Sequence, residues 1–254
     1  MSLLEVSNVK KVYTTRFGGT SVEALKNVSF QAEEGEFIAI MGESGSGKTT
    51  LLNILAALDT PTAGRVILNG REMTAGREEE MAAFRRDHLG FVFQEFHLLD
   101  TFSVEDNIVL PLVLAGLTYE EMQQRLLPLA ERLGILPLLK KFPYEISGGQ
   151  KQRVAVARAL ITDPLLLLAD EPTGALDSKS TEELLQLFEE INRCEQTILM
   201  VTHSVKAASY AGRVLFIKDG EVFHQLYKGD NTREQLYQKI SDTLTMLTMG
   251  GDQR

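Results

Sequence analysis

The chain has 254 residues, 44% hydrophobic and 24% charged, with 26 basic and 35 acidic side chains and a formal net charge of −9. That composition suits a globular protein with length for a real core, and its acidity argues against a general nucleic-acid binder. One cysteine, Cys194, rules out an intrachain disulfide; residues 1–5 lack the basic start and apolar core of a signal peptide; and the apolar run Ile108 to Leu117, broken by Pro111, is too short for the ~20 residues of a membrane helix.

Residues 3–13 alternate loosely as a strand ending at Tyr13. A loop with Gly18-Gly19 follows, then a second strand from Val22 to Gln31, so the start reads as a small antiparallel β-layer. A turn at 33–36 leads to the apolar run Phe37-Ile38-Ala39-Ile40-Met41, a buried strand. Next come Gly42-Glu43-Ser44-Gly45-Ser46-Gly47-Lys48-Thr49-Thr50. Leu51, Leu52, Ile54, Leu55 and Leu58 then repeat at helical spacing. The pattern G-x-x-x-x-G-K-[ST] between strand and helix is a phosphate loop. Its glycines let successive N–H groups face one phosphate chain, and the helix N-terminus adds its positive dipole end. Lys48 supplies charge for the β- and γ-phosphates, and the Thr49 hydroxyl is placed to ligate Mg²⁺.

A turn at Thr60 to Gly64, a strand at Arg65 to Leu68 and a turn at Asn69-Gly70 come next. Glu78 to Arg86 is a short amphipathic helix, and Leu89 to Phe93 a buried strand with Gln94 at its end. Residues 103–142 read as a helical lobe. Ser103 and Asp106 start one helix, and Met122, Leu126, Leu129, Ala130 and Leu133 mark another. Ile146-Ser147-Gly148-Gly149-Gln150 opens a helix running through Leu160. Leu165 to Ala169 is a fully buried strand of the parallel kind. It delivers Asp170 and Glu171 to its carboxyl end, where α/β sheets bind ligands. A helix spans Ser178 to Arg193, a strand Thr197 to Thr202, and a hairpin Arg213 to Gln225 around Asp219-Gly220. The tail from Thr232 to Leu247 is amphipathic. The pairs Arg85-Arg86 and Lys140-Lys141 read as solvated surface.

Several side chains carry two readings. Tyr13 is either a packed strand aromatic or a face for adenine. Asp170 is a strand-end carboxylate or a holder of Mg²⁺ through water, and Glu171 a surface glutamate or the group that polarises the attacking water. Gln94 is a loop glutamine or a bridge to Mg²⁺ and water. His203 is a plain strand-end histidine or a hydrogen-bond donor to phosphate. Asp177 is a candidate cap for the helix at Ser178.

The order phosphate loop, Gln94, Ile146-Ser-Gly-Gly-Gln150, Asp170-Glu171, Asp177 and His203 resembles the nucleotide-binding subunit of ABC transporters over nearly the whole chain. Ile146 stands where leucine is commoner. The resemblance implies an α/β fold: a P-loop NTPase core with an N-terminal antiparallel β-layer (1–93 and 164–230), an inserted helical lobe (95–162) and a C-terminal helical tail (231–254). It implies ATP and Mg²⁺ as cofactors, hydrolysis of ATP, and His203 on the γ-phosphate. Ser147, Gly148 and Gly149, with Gln150, close on ATP held by a second copy, giving a head-to-tail dimer in which Asp177 communicates between subunits. It also implies an integral-membrane permease partner, a place on the cytoplasmic face of the membrane and no nucleic-acid role.

Glu171-Pro-Thr-Gly-Ala-Leu-Asp177 and Phe93-Gln94 with Leu98-Leu99 look like the macrolide-export and lipoprotein-release branch. His88 to Gln94, Asp100 to Asn107, Phe216 to Gly220 and Gln225 to Gly229 resemble the Bce-type ATPases of bacitracin and antimicrobial-peptide resistance and sensing, which often work beside a sensor histidine kinase. Glu43 departs from the alanine common in that group. DNA-repair ATPases of the same signature carry a long coiled coil before it, and ribosome-acting factors fuse two cassettes; this chain has neither feature.

Overall fold

The N-terminal layer starts with β1 (Ser2–Thr14) and β2 (Ser21–Glu33), which pair antiparallel with Val6 opposite Phe30 and Val9 opposite Val28. The computed structural model describes residues 2–14, 21–73 and 76–249; the expected loop at Gly18-Gly19 lies outside them. Contacts gather the chain into two units, one from residues up to 76 and from 197 onward, the other from 77–196.

In the first unit the buried strand β3 (Phe37–Met41) leads into α1 (Lys48–Leu55). α1 is shorter than the periodicity predicts. Ala57 adopts φ 52°, which ends the helix, and Leu58 is left 56% exposed. β4 (Ala63–Leu68) pairs with β1, placing Leu4 opposite Leu68 and Val6 opposite Val66, and the short β5 (Arg71–Glu72) edges it. Leu4, Val6, Val9, Leu25, Val28, Val66 and Leu68 fill this layer, each contributing about 1.5–3 kcal/mol of transfer free energy.

The second unit opens with α2 (Glu78–His88) and β6 (Leu89–Val92). β6 buries only Gly90 and Val92, so the strand that the sequence predicts to be buried is half-buried. Capping boxes start α3 (Val104–Leu114), from Ser103 and Asp106, and α4 (Tyr119–Arg132), from Thr118 and Glu121. α5 (Gly148–Leu160) packs on β6 and α3, and β7 (Leu166–Asp170) runs parallel to β6. α6 (Ser178–Arg193) has the bounds its periodicity predicts. The predicted lobe thus shares a compact unit with the strands and helix that flank it.

The chain returns to the first unit with β8 (Thr197–Val201). The sequence did not announce the one-turn helix α7 (Val205–Ala208) that follows. β9 (Arg213–Lys218), β10 (Glu221–Tyr227) and α8 (Arg233–Met249) complete the unit. β3 lies between β8 and β9, parallel to both. All three are buried along their centres, and apolar there, as central parallel strands must be. β10 closes the hairpin with β9 and meets β2 at a single parallel bridge, Glu221 to Asn27. Among the described side chains of α8, Leu236, Ile240 and Leu247 are buried.

Candidate active site

Register decides which side chains share an end of the sheet. In the first unit, Ile40 of β3 pairs with Val201 of β8. Gly42 and His203 each lie two residues beyond, so the phosphate loop and an exposed histidine leave neighbouring strands at the same end. In the second unit, Val92 of β6 pairs with Ala169 of β7. Gln94 and Glu171 likewise each lie two residues beyond. Both pairs sit at carboxyl strand ends, where parallel sheets open to ligands.

The phosphate loop is shaped for an anion. Gly47 takes φ 101°, and a Cβ there would stand 2.5 Å from the Ala24 carbonyl oxygen, so only glycine fits. It precedes α1 with no side-chain cap and no acidic residue in the first turn, which leaves the helix N–H groups to the loop. The Lys48 ammonium donates to the carbonyls of Gly42 (3.0 Å) and Glu43 (2.8 Å), lying over the loop. Ser46 Oγ is buried without a hydrogen-bond partner. A buried polar atom without a partner is costly, and a triphosphate oxygen would satisfy it. Ser44, Gly45 and Thr49 are exposed on the same stretch, and Thr50 is half-buried.

Tyr13 is 43% exposed, so it is not simply a packed strand aromatic. Its hydroxyl donates to Asp59 Oδ2 at 2.7 Å, and Lys11 Nζ donates to Asp59 Oδ1 at 2.5 Å and to the Thr60 carbonyl at 2.7 Å. Burial and then the Asp59 contact raise the Tyr13 pKa, against a lowering hydrogen bond with Thr50. Asp59 is raised by burial, but bonds from Lys11, Tyr13 and the Thr60 N–H outweigh it and hold the carboxyl below its usual range.

In the second unit Asp170 and Glu171 are half-buried at the end of β7. Glu171 has φ 45°, a conformation that β-region residues avoid and that persists where the surroundings impose it. Gln94 is exposed and lies against Gly174. A Cβ on Gly174 would stand 2.8 Å from Gln94 Nε2, so the glycine admits the glutamine into the loop after Glu171. Gly174 shows in the sequence only as one member of the stretch Glu171 to Asp177, and Gln152, whose buried amide reaches both strand-end loops, carries no signal there. Asp59 is likewise unmarked in the sequence. No local signal marks such long-range partners.

Ser147 caps α5. Its hydroxyl accepts from the Gln150 N–H, while Gln150 Oε1 accepts from the Ser147 N–H at 2.9 Å. Gln150 is thus engaged in the cap, and Ser147 and Gly148 are exposed at the helix start. Asp177 caps α6 through the N–H groups of Lys179 and Ser180 and accepts from Ser180 Oγ, bonds that lower its pKa, the Ser180 N–H first. Cys194, at the end of α6, is exposed. Among the described residues no cluster of three or more His, Cys, Asp or Glu forms a protein-only metal cage. Mg²⁺ does not require one, because it binds through one or two protein groups and phosphate oxygens.

A family model described as ABC transporter matches residues 25–174. The chain is 49% identical over 247 residues to the ABC transporter ATP-binding protein YxdL of Bacillus subtilis (strain 168), covering 97% of this chain and 95% of that one. It is 47% identical over 248 residues to the bacitracin export ATP-binding protein BceA of Halalkalibacterium halodurans, covering 97% of each. A dimeric structure of the ATP-binding cassette MJ0796 in a post-hydrolysis state, bound to ADP and Pi, superposes with a TM-score of 0.79 at 39% identity, covering 88% of this chain and 98% of the other.

Proposed function

We propose, from the premise that this chain belongs to the ABC transporter family of ATP-binding proteins, that it energises a permease handling cell-wall-active peptide antibiotics of the bacitracin class. The chain is the ATP-hydrolysing subunit of a membrane transporter. Its fold is that of the ATP-binding cassettes. The observation that carries the peptide reading is 47% identity to a bacitracin export ATPase along 97% of both chains. The stretches 88–107 and 216–229, which resemble the Bce-type ATPases, support the same reading.

The phosphate loop binds ATP, with Lys48 neutralising the β- and γ-phosphates and the N–H groups of Gly42 to Thr50 cradling them. Tyr13 offers its face to adenine. Thr49, Gln94 and Asp170 would hold Mg²⁺, which when bound offsets phosphate charge. Glu171 orients the attacking water and accepts its proton, and His203 donates a hydrogen bond to the γ-phosphate. Ser147, Gly148, Gly149 and Gln150 present the start of α5 to ATP held by a second copy. The dimer is then head to tail, two-fold symmetric and ATP-dependent, with Asp177 near the exchange between subunits. The dimeric cassette supports this arrangement.

Among the described residues no helix is long and apolar enough to cross a membrane, so the permease supplies the membrane contact and holds the chain at the cytoplasmic face. A groove of about 280 Å³ in the second unit, lined by Arg86, Phe91, Phe93, His97, Pro111 and Arg158, suits a docking loop of that permease. The permease also links the ATPase to a sensor histidine kinase.

A deletion strain tests the reading. Hypersensitivity to bacitracin-like or lantibiotic peptides, restored by the wild type and not by Glu171→Gln, supports it. Normal peptide tolerance with mislocalised lipoproteins or macrolide sensitivity moves the chain to a lipoprotein-release or macrolide-type system with the same ATPase chemistry.

A further inference from the structure

We infer that Gln152 is a positioning residue for hydrolysis, one buried amide that ties the loop of Gln94 to the loop of Glu171. This rests on the roles proposed for Gln94 and Glu171. Gln152 is fully buried in α5. Its Nε2 donates to the Phe93 carbonyl at 3.1 Å and to the Pro172 carbonyl at 2.8 Å. Those carbonyls belong to the residue before Gln94 and the residue after Glu171. Both hydrogens of one nitrogen are used, one on each loop.

The other end of the amide explains why glutamine is needed. Gln152 Oε1 is buried with no hydrogen-bond partner. A buried carbonyl without a donor is unfavourable, so packing alone would favour leucine or methionine here. A glutamate would turn acceptors toward two carbonyls. A lysine would bring a charge into a site with no exposure. Only an amide of this reach gives two neutral donors on one atom.

The loops so held are ones that need holding. Glu171 has φ 45°, and Phe96 and His97 beyond Gln94 have φ 60° and 47°. Arg158, also on α5, donates to the Phe96 carbonyl at 2.9 Å and the His97 carbonyl at 2.5 Å. α5 therefore grips the Gln94 loop on both sides, and through Gln152 it also holds the backbone beside Glu171. The same helix starts at Ser147-Gly148-Gly149. A displacement of α5 at its N-terminus is thus transmitted to the residues that handle water.

The test uses Gln152→Leu and Gln152→Met in the full chain, each checked by thermal melting, with single-turnover and steady-state ATP hydrolysis. Misplacing a reacting group by about 1 Å costs about 10²-fold, so kcat falls by about that factor while KM for ATP stays near wild type and the variants remain folded at the assay temperature, with a lower melting temperature from the two carbonyls that lose their donor. On a Glu171→Gln background, Gln152→Leu adds little further loss, because the group it positions is already gone. Wild-type kcat in either folded variant overturns the inference. So does a loss of the same factor in both backgrounds, and so does failure of both variants to fold, which assigns the amide to folding. Should Glu171→Gln alone hydrolyse ATP at the wild-type rate, the reading of Glu171 fails instead, and that outcome is separately visible.

Discussion

The hydroxyl of Tyr13 and the carboxylate of Asp59 are joined by a 2.7 Å hydrogen bond, although 46 positions separate them in the chain. Lys11 completes the clamp on the second carboxylate oxygen and lies 4.8 Å from the Tyr13 ring centroid. An exposed ring held at its far end keeps one orientation and loses little entropy when a flat ligand stacks on it.

Tyr13→Phe keeps the ring and loses the anchor, and Tyr13→Ala loses both. Stacking of a base on an aromatic ring is worth about 1–3 kcal/mol. Tyr13→Ala is expected to weaken ATP binding by about tenfold or more, and Tyr13→Phe by a smaller factor, with kcat at saturation unchanged in both. Titration with a fluorescent ATP analogue measures this. Equal affinity of Tyr13→Ala and wild type would remove the tyrosine from the adenine site.

Glu171→Gln keeps the shape and the hydrogen-bonding reach of the side chain and removes the base. Turnover is expected to fall by about 10²–10⁴-fold with ATP binding retained. The variant then accumulates as a dimer in saturating ATP. Light scattering that finds only monomer under those conditions would count against a site shared between two copies.

The Asp59 clamp carries a pH signature. Its folded carboxyl titrates below the ordinary value of about 4, so its stabilisation is complete above that value and is lost as pH falls through the lowered folded value. Asp59→Asn is expected to melt about 1–3 °C below wild type at neutral pH, the range for a half-buried ion pair near the surface of a domain of this size. The gap should close on acidification. A gap that persists unchanged to pH 2 would mean that the ionised carboxylate is not its source.

Leu99 and Phe102 are exposed apolar residues on the segment leading into α3. Leu99→Glu and Phe102→Glu are expected to uncouple peptide resistance from ATP hydrolysis, leaving basal turnover of the isolated subunit intact. Measuring both properties in parallel decides the matter, since an equal loss of basal activity would assign these residues to the fold and not to permease docking.

The sequence by itself determined the phosphate loop, the buried strands around it, the capped starts of α3 and α6, the start of α5, and the ends of α6. Those signals are local. A glycine pattern, a side-chain cap three residues from its partner and a hydrophobic period act within a few turns of chain. It also placed Asp170 and Glu171 at a strand end, because a five-residue apolar run that follows the turn at Asp163-Pro164 is too short for a helix and reads as a buried strand. Tertiary structure alone decided what those residues stand beside. The pairings Ile40 with Val201 and Val92 with Ala169 align Gly42 with His203 and Gln94 with Glu171, and no stretch of sequence encodes a strand register by itself. The Tyr13–Asp59 clamp and the Gln152 bridge to carbonyls 59 and 20 residues away share one cause. Each depends on a partner brought close by folding, and its free energy exists only once that distant segment has arrived.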